Sequence, residues 1–196
     1  MASLTLLASR RAAAVGRRGA AVRRAFTQQS SRSWGNGATL KVLIVDGYAA
    51  SSRAEFTAVG LPFASELYKD MLTRHSPVPL DFHTVFPCSD EYEPLGDAAL
   101  AAFDGAAFTG SSYSAYAPDE DVRRQVELMS RTFECGVSSF GSCWALQIAS
   151  VALGGTVELN PMGREVGVGQ KIALTAEGRG HPMFAGKKSA NPSAPI

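Results

Sequence analysis

Short apolar runs that end in small turn residues, alternating with stretches of helical periodicity, set the tightest limit on how this chain can fold. Leu40-Lys-Val-Leu-Ile-Val-Asp46 is rich in branched residues and stops at Asp46-Gly47, as a buried strand meeting a turn does. Pro62 is placed to open a helix, and Phe63, Ala64, Leu67, Tyr68, Met71 and Leu72 give it an apolar face up to about Arg74. Asp81–Phe86 alternates as a second strand, with His83 expected half-buried on it. Pro94–Phe103 carries a short helical pattern. Asp104–Thr109 reads as a third strand that ends in the loop Gly-Ser-Ser-Tyr-Ser. Then comes the clearest helix. Asp119, Glu120 and Asp121 sit where the dipole favours anions, Val122, Val126, Met129 and Phe133 form a stripe, and Gly136 is placed for the C-terminal cap. Val137–Phe140 is a fourth strand, and a sharp Gly-Ser-Cys turn leads into a helix over Trp144–Leu153 that Gly154-Gly155 stops. Thr156–Asn160 and Gln170–Leu174 read as two further strands.

Strands alternating with helices imply a parallel sheet covered on both faces. The expected architecture is α/β, a three-layer flavodoxin-like sandwich with a mostly parallel sheet. At 196 residues there is room for one ordinary domain. No run of apolar residues is long enough to predict a membrane span. Three cysteines, Cys88, Cys135 and Cys143, are too few and too scattered for a disulfide scaffold. The three histidines, His75, His83 and His181, have no metal-ligand spacing with them, so no metal and no cofactor are expected.

The net charge of +1 conceals two unlike parts. Residues 1–40 hold seven arginines, no lysine and no acid, which leaves 12 basic residues against 18 acids in residues 41–196. That mildly acidic body argues against a nucleic-acid partner, because phosphate binding needs clustered positive charge. The head is different. Arg10, Arg17 and Arg24 recur at steps of seven, and Arg24-Ala-Phe-Thr27 is similar to a mitochondrial processing site. Residues 1–34 are therefore predicted to be an organelle transit peptide without fixed structure, mitochondrial ahead of plastid, with the cytosol the alternative if the segment is not a targeting signal.

Chemistry concentrates at Cys143. Phe140-Gly-Ser-Cys-Trp-Ala-Leu-Gln147 places a thiol where a strand turns abruptly into a helix, the sulfur counterpart of the G-x-S-x-G nucleophile elbow. Such a turn projects the sulfur at the carboxyl edge of the sheet, where ligand sites of α/β folds form. It also sets the sulfur over a helix N-terminus, whose partial positive charge favours anions, and leaves the next backbone N–H to serve an oxyanion. A cysteine in an arbitrary setting is most simply a packing residue, and Cys88 and Cys135 read as packing or surface thiols. The strand–turn–helix setting favours a nucleophile.

These residues resemble the class I glutamine amidotransferase-like proteins, and within them the stand-alone GMP-synthase-like branch. The likeness rests on GSCWALQ at 141–147 with its continuation to Gly167, on Phe108-Thr-Gly-Ser-Ser-Tyr-Ser-Ala-Tyr116, and on His181-Pro-Met-Phe-Ala-Gly186. It covers residues 40–190, a domain expected to lack its last strands, with 191–196 a tail. The resemblance implies that Cys143 attacks a glutamine or γ-glutamyl amide and forms a thioester. It implies that the N–H groups of Gly110 and Trp144 hold the oxyanion, and that Ser111, Gln147, Arg164 and Glu165 bind substrate. An ammonia-accepting partner is a further possibility that it raises without identifying one.

Two positions depart from the pattern. Ala145 stands where the family usually has Gly, and one methyl there narrows the approach of helix to strand, at a cost on the order of 1 kcal/mol. The family's catalytic His and its Glu find no counterpart, since His181, expected in a surface turn, is not at the catalytic position. The chain as it stands is thus predicted to be inactive in amide hydrolysis. Two other readings fit the elbow: a ThiJ/PfpI-type cysteine redox or lyase protein, and a catalytically dead amino-acid-binding module.

Overall fold

The computed structural model describes residues 37–116, 119–163 and 174–184. The transit-peptide segment 1–34, Arg164, Glu165, nearly all of the strand expected over 170–174 and the tail 191–196 lie outside the described residues. The chain divides into two compact units after Glu158.

Four strands, β1 (Leu40–Val45), β2 (Leu80–Val85), β3 (Gly105–Phe108) and β4 (Ser139–Gly141), form one all-parallel sheet in the order β2-β1-β3-β4. Helices α1 (Ala50–Ala58), α2 (Ala64–His75), α3 (Asp97–Ala101), α4 (Glu120–Glu134) and α5 (Trp144–Ala152) connect or follow them. This is the expected α/β fold.

Strand alternation assigns the layers. Leu43, Val45, Ala106 and Phe108 point to one face and join Leu100, Val122, Leu128, Met129, Trp144 and Ile148 in a single core. Each fully buried Leu, Val, Ile, Phe or Met side chain among them contributes roughly 2 kcal/mol of burial. Ile44, Ala107 and Phe140 share a register row on the opposite face. There Tyr68 of α2 meets the Phe140 ring at 6.3 Å, which places α2 on that side. Helices α4 and α5 hold the other face, so the sheet lies between two helical layers.

Several local expectations shift. Pro62 does not open α2; Phe63 is its N-cap, and the buried Asp46 carboxylate accepts the Ser65 N–H at 2.9 Å from across the sheet edge. The pattern over Pro94–Phe103 yields only the short α3. His83 is exposed, its ring 5.8 Å from Phe103. Asp119 caps α4, accepting the Val122 N–H at 2.9 Å, and Gly136 follows the helix at φ 74°. Thr156–Asn160 forms no strand: it has no ladder partner among the described residues, and Asn160 instead accepts the Met162 N–H at 2.9 Å in a turn.

The described part of the second unit is short. Helix α6 (Ala176–Gly180) is capped by Thr175, whose Oγ1 accepts the Gly178 N–H at 3.1 Å, and a 3₁₀ turn follows over Pro182–Phe184. His181 lies between them, half-buried, and its Nδ1 accepts the Met183 N–H at 3.2 Å.

Candidate active site

Because every strand is parallel, the segments that follow β1, β2, β3 and β4 meet at one edge. Asp46-Gly47, Phe86–Cys88, Thr109–Gly110 and Ser142–Cys143 all lie there. Cys143 adopts φ 56° and ψ −108° as the N-cap of α5, the one non-glycine residue with positive φ among the described residues. Such a backbone costs of order 1–3 kcal/mol and persists only where surrounding structure enforces it.

Here the enforcement is packing. Strand β4 and helix α5 approach so closely that a Cβ on Gly141 would stand 2.4 Å from the Ala145 Cβ and 2.9 Å from the Phe108 carbonyl oxygen. Ala145 is only 2% exposed. The methyl that departs from the family pattern is therefore accommodated by the missing side chain of Gly141. The result is an exposed thiol on a forced turn. Beside it the Tyr68 hydroxyl and the Ser142 Oγ lie 3.0 Å apart, which ties α2 to the residue before the cysteine.

The loop after β3 is held by its own polar groups. Thr109 Oγ1 accepts the Gly47 N–H at 2.9 Å and donates to the Gly110 carbonyl at 2.9 Å. Ser111 Oγ accepts the Tyr113 N–H at 3.2 Å, and Gln147 Oε1 accepts the Ala115 N–H at 3.2 Å. Gln147 thus ties α5 to this loop. Among the described residues the main-chain N–H groups of Gly110 and Trp144 have no acceptor; that of Trp144 is one of the orphan donors every helix start exposes.

A polar cluster beneath the edge was not foreseen. Gln125, fully buried on α4, accepts the Trp144 Nε1–H at 2.7 Å and donates to Cys88 Sγ at 3.1 Å and to the Gly47 carbonyl at 3.5 Å. The Tyr113 hydroxyl donates to Asp121 on the same helix, and its ring lies 6.0 Å from Trp144. Burial pushes the Cys88 thiol up to about 12, helped by the Asp121 charge and opposed by Arg53 and by a hydrogen bond with Tyr113. Burial and then the Asp121 hydrogen bond also raise the Tyr113 phenol. Both are held in their neutral forms.

Neither histidine of the first unit can act as a base at Cys143. His83 lies on β2, three strand spacings or about 14 Å from β4. His75 ends α2, which leads into the start of β2 at the opposite pole. Among the described residues no group of three His, Cys, Asp or Glu side chains could hold a metal ion, and no helix is long and apolar enough to cross a membrane.

No protein-family model matches the sequence. Among characterised proteins the chain is similar to the gamma-glutamyl-L-1-hydroxyisopropylamide hydrolase of a Pseudomonas species, with 31% identity over 153 residues that cover 76% of this chain and 51% of the relative. The chain therefore spans about half the length of the curated relative it matches. At that level the similarity supports a glutamine-amidotransferase-like likeness and no narrower branch.

Proposed function

We propose that residues 40–158 carry the nucleophile half of a glutamine-amidotransferase-like amide hydrolase, of the stand-alone GMP-synthase-like kind, that acts on a small γ-glutamyl amide. The observation that supports this most is the Cys143 backbone, a forced turn that presents a thiol over the start of α5 at the ligand-binding edge. The relative's substrate supplies the chemical class.

On this reading the Cys143 sulfur adds to the γ-carbonyl carbon, and the C=O electron pair moves onto oxygen. The N–H groups of Gly110 and Trp144 receive that oxyanion. Collapse expels the amine, or ammonia from glutamine, which takes up a proton and leaves a γ-glutamyl thioester. Water then adds to the thioester, glutamate departs and the thiol is restored. Ser111 and Gln147 shape the loop around the glutamyl group. A proton-transfer group is needed for an amine to leave, and neither His75 nor His83 supplies one.

The reading is tested with the full chain and a γ-glutamyl p-nitrophenyl ester, whose leaving group departs without being protonated. Intact-mass and peptide mapping should find a γ-glutamyl adduct on Cys143 and none in Cys143→Ala, while the corresponding amide turns over no faster than in that variant. No Cys143-dependent adduct would overturn the nucleophile. Acylation no faster than by p-nitrophenyl acetate would remove the γ-glutamyl specificity.

A further inference from the structure

The two backbone donors assigned to the oxyanion belong to different strands. Gly110 follows β3 and Trp144 follows β4; the ladder between these neighbouring strands ends at Phe108–Gly141, so the segments beyond it are spaced by other contacts, one of which is the Gln147 bond to the Ala115 N–H from above. A hydrogen-bonded relay spaces them from below. The Trp144 Nε1–H donates to Gln125 Oε1 at 2.7 Å. Gln125 Nε2 donates to the Gly47 carbonyl at 3.5 Å, the longest link, and to Cys88 Sγ at 3.1 Å. The Gly47 N–H then donates to Thr109 Oγ1 at 2.9 Å, and that hydroxyl donates to the Gly110 carbonyl at 2.9 Å.

The orientation of the amide is forced. An indole N–H can only donate, so the Gln125 oxygen must face Trp144 and its nitrogen must face the sulfur and the carbonyl. There is no slack around it: a Cβ on Gly47 would stand 2.9 Å from Gln125 Oε1, 2.9 Å from Trp144 Cδ1 and 3.2 Å from the Gly110 carbonyl oxygen. Gln125 itself is fully buried, so each of these bonds operates away from water, where a lost partner costs most. Leucine or methionine would fill the same space in the apolar face of α4 but would leave the buried Trp144 N–H without its acceptor.

We propose that Gln125 is a positioning residue that sets the spacing of the Gly110 and Trp144 N–H groups, and so controls acylation of Cys143 without touching substrate. This rests on the thioester reading above. The test exploits two reactions of the same sulfur. Acylation by γ-glutamyl p-nitrophenyl ester passes through a tetrahedral oxyanion, whereas alkylation by iodoacetamide displaces iodide and forms none. In the full chain, Gln125→Met should slow acylation by about 10- to 100-fold, the scale of a misplaced reacting geometry. Alkylation of Cys143 should stay within about twofold of the unmutated chain. The saturating acylation rate should fall more than the ester's half-saturating concentration rises.

Gln125→Glu provides the conservative check. A buried, protonated carboxyl keeps one acceptor for the indole and one donor for Gly47, so acylation should recover to within about fivefold. Equal acylation in Gln125→Met and the unmutated chain would overturn the proposal while leaving the thioester reading intact. So would a parallel loss of alkylation, which would mark a role in folding alone, or failure of Gln125→Glu to recover acylation while alkylation is preserved. If the unmutated chain takes up no acyl group at all, the thioester reading fails and this proposal falls with it.

Discussion

Cys88 and Cys143 stand at the same edge of the sheet, three residues past β2 and two residues past β4, yet their surroundings share almost nothing. Past Gly141 the backbone enters a helix at once through a positive φ, and the thiol is turned outward with no side-chain bond to the helix it caps. Past Val85 the chain runs through Phe86-Pro87 into turns. Cys88 sinks against α4, where its sulfur accepts from Gln125 and lies 3.7 Å from the Gly47 carbonyl. Position after a parallel strand therefore supplies the edge and nothing more. The connector decides whether a thiol becomes a reagent or a packing atom.

The largest effect that could break this contrast is differential labelling. With its thiol pushed up to about 12, Cys88 is about one part in ten thousand thiolate at pH 8, and it is buried as well. Iodoacetamide under native conditions should label Cys143 at least about a thousandfold faster than Cys88. Cys135 should fall between them, being half-buried with a thiol raised by burial and by Asp97. Peptide mapping by mass spectrometry over a time course reads this directly, and comparable labelling of Cys88 in folded protein would erase the distinction.

A second effect appears in alkali. Cys88 is neutral when protonated and holds its proton more tightly in the folded chain, so the unfolded chain releases that proton first as pH rises from about 9 towards 12. Its contribution is whole below the unfolded value and is lost through that window. Urea unfolding at several alkaline pH values should show stability falling as pH rises. Cys88→Ser should flatten the slope by up to about one proton. Some fall should persist, because the Tyr113 phenol is raised in the same direction.

The layer order and the elbow were legible in sequence because both are patterns of spacing. Apolar runs closed by Asp46-Gly47 and Thr109-Gly110 locate β1 and β3, whereas the run closed by Asn160 is no strand, and a cysteine between a strand run and a helix run locates the turn. Helix α1 was not legible: Ala50–Ala58 buries no residue and has no side-chain cap, so no apolar stripe announces it. It is fastened instead by Arg53, which donates to the Tyr48 carbonyl at 2.5 Å and lies over the Phe86 ring, and by the Tyr48–Phe56 ring contact. Gln125 escaped for the opposite reason. The expected stripe of Val122, Val126, Met129 and Phe133 shares Val122 and Met129 with the inward face, but Val126 and Phe133 are half-buried and Gln125, Leu128 and Thr132 complete that face. Steps of three and four from Val122 do reach Gln125, Met129 and Thr132, so the period carried the signal and hydrophobicity masked it.

The smallest effect bears on why the elbow needs a strained backbone at all. If the φ 56° of Cys143 is imposed by the close approach of Gly141 to Ala145, replacing the cysteine with glycine should relieve it, because glycine reaches positive φ without a Cβ clash. Relief of roughly 1–3 kcal/mol is offset by the extra chain entropy glycine loses on folding, roughly 0.5–1 kcal/mol. Cys143→Gly should therefore be about 1 kcal/mol more stable than the unmutated chain in chemical denaturation, and Cys143→Ala, which keeps the Cβ, within about 0.5 kcal/mol of it. Equal stabilities for the two variants would mean that the turn stores no strain, and the difference between the two cysteines would then reduce to burial. A more stable glycine variant that can no longer be acylated would show that the fold gives up stability at this one residue to hold a sulfur outward.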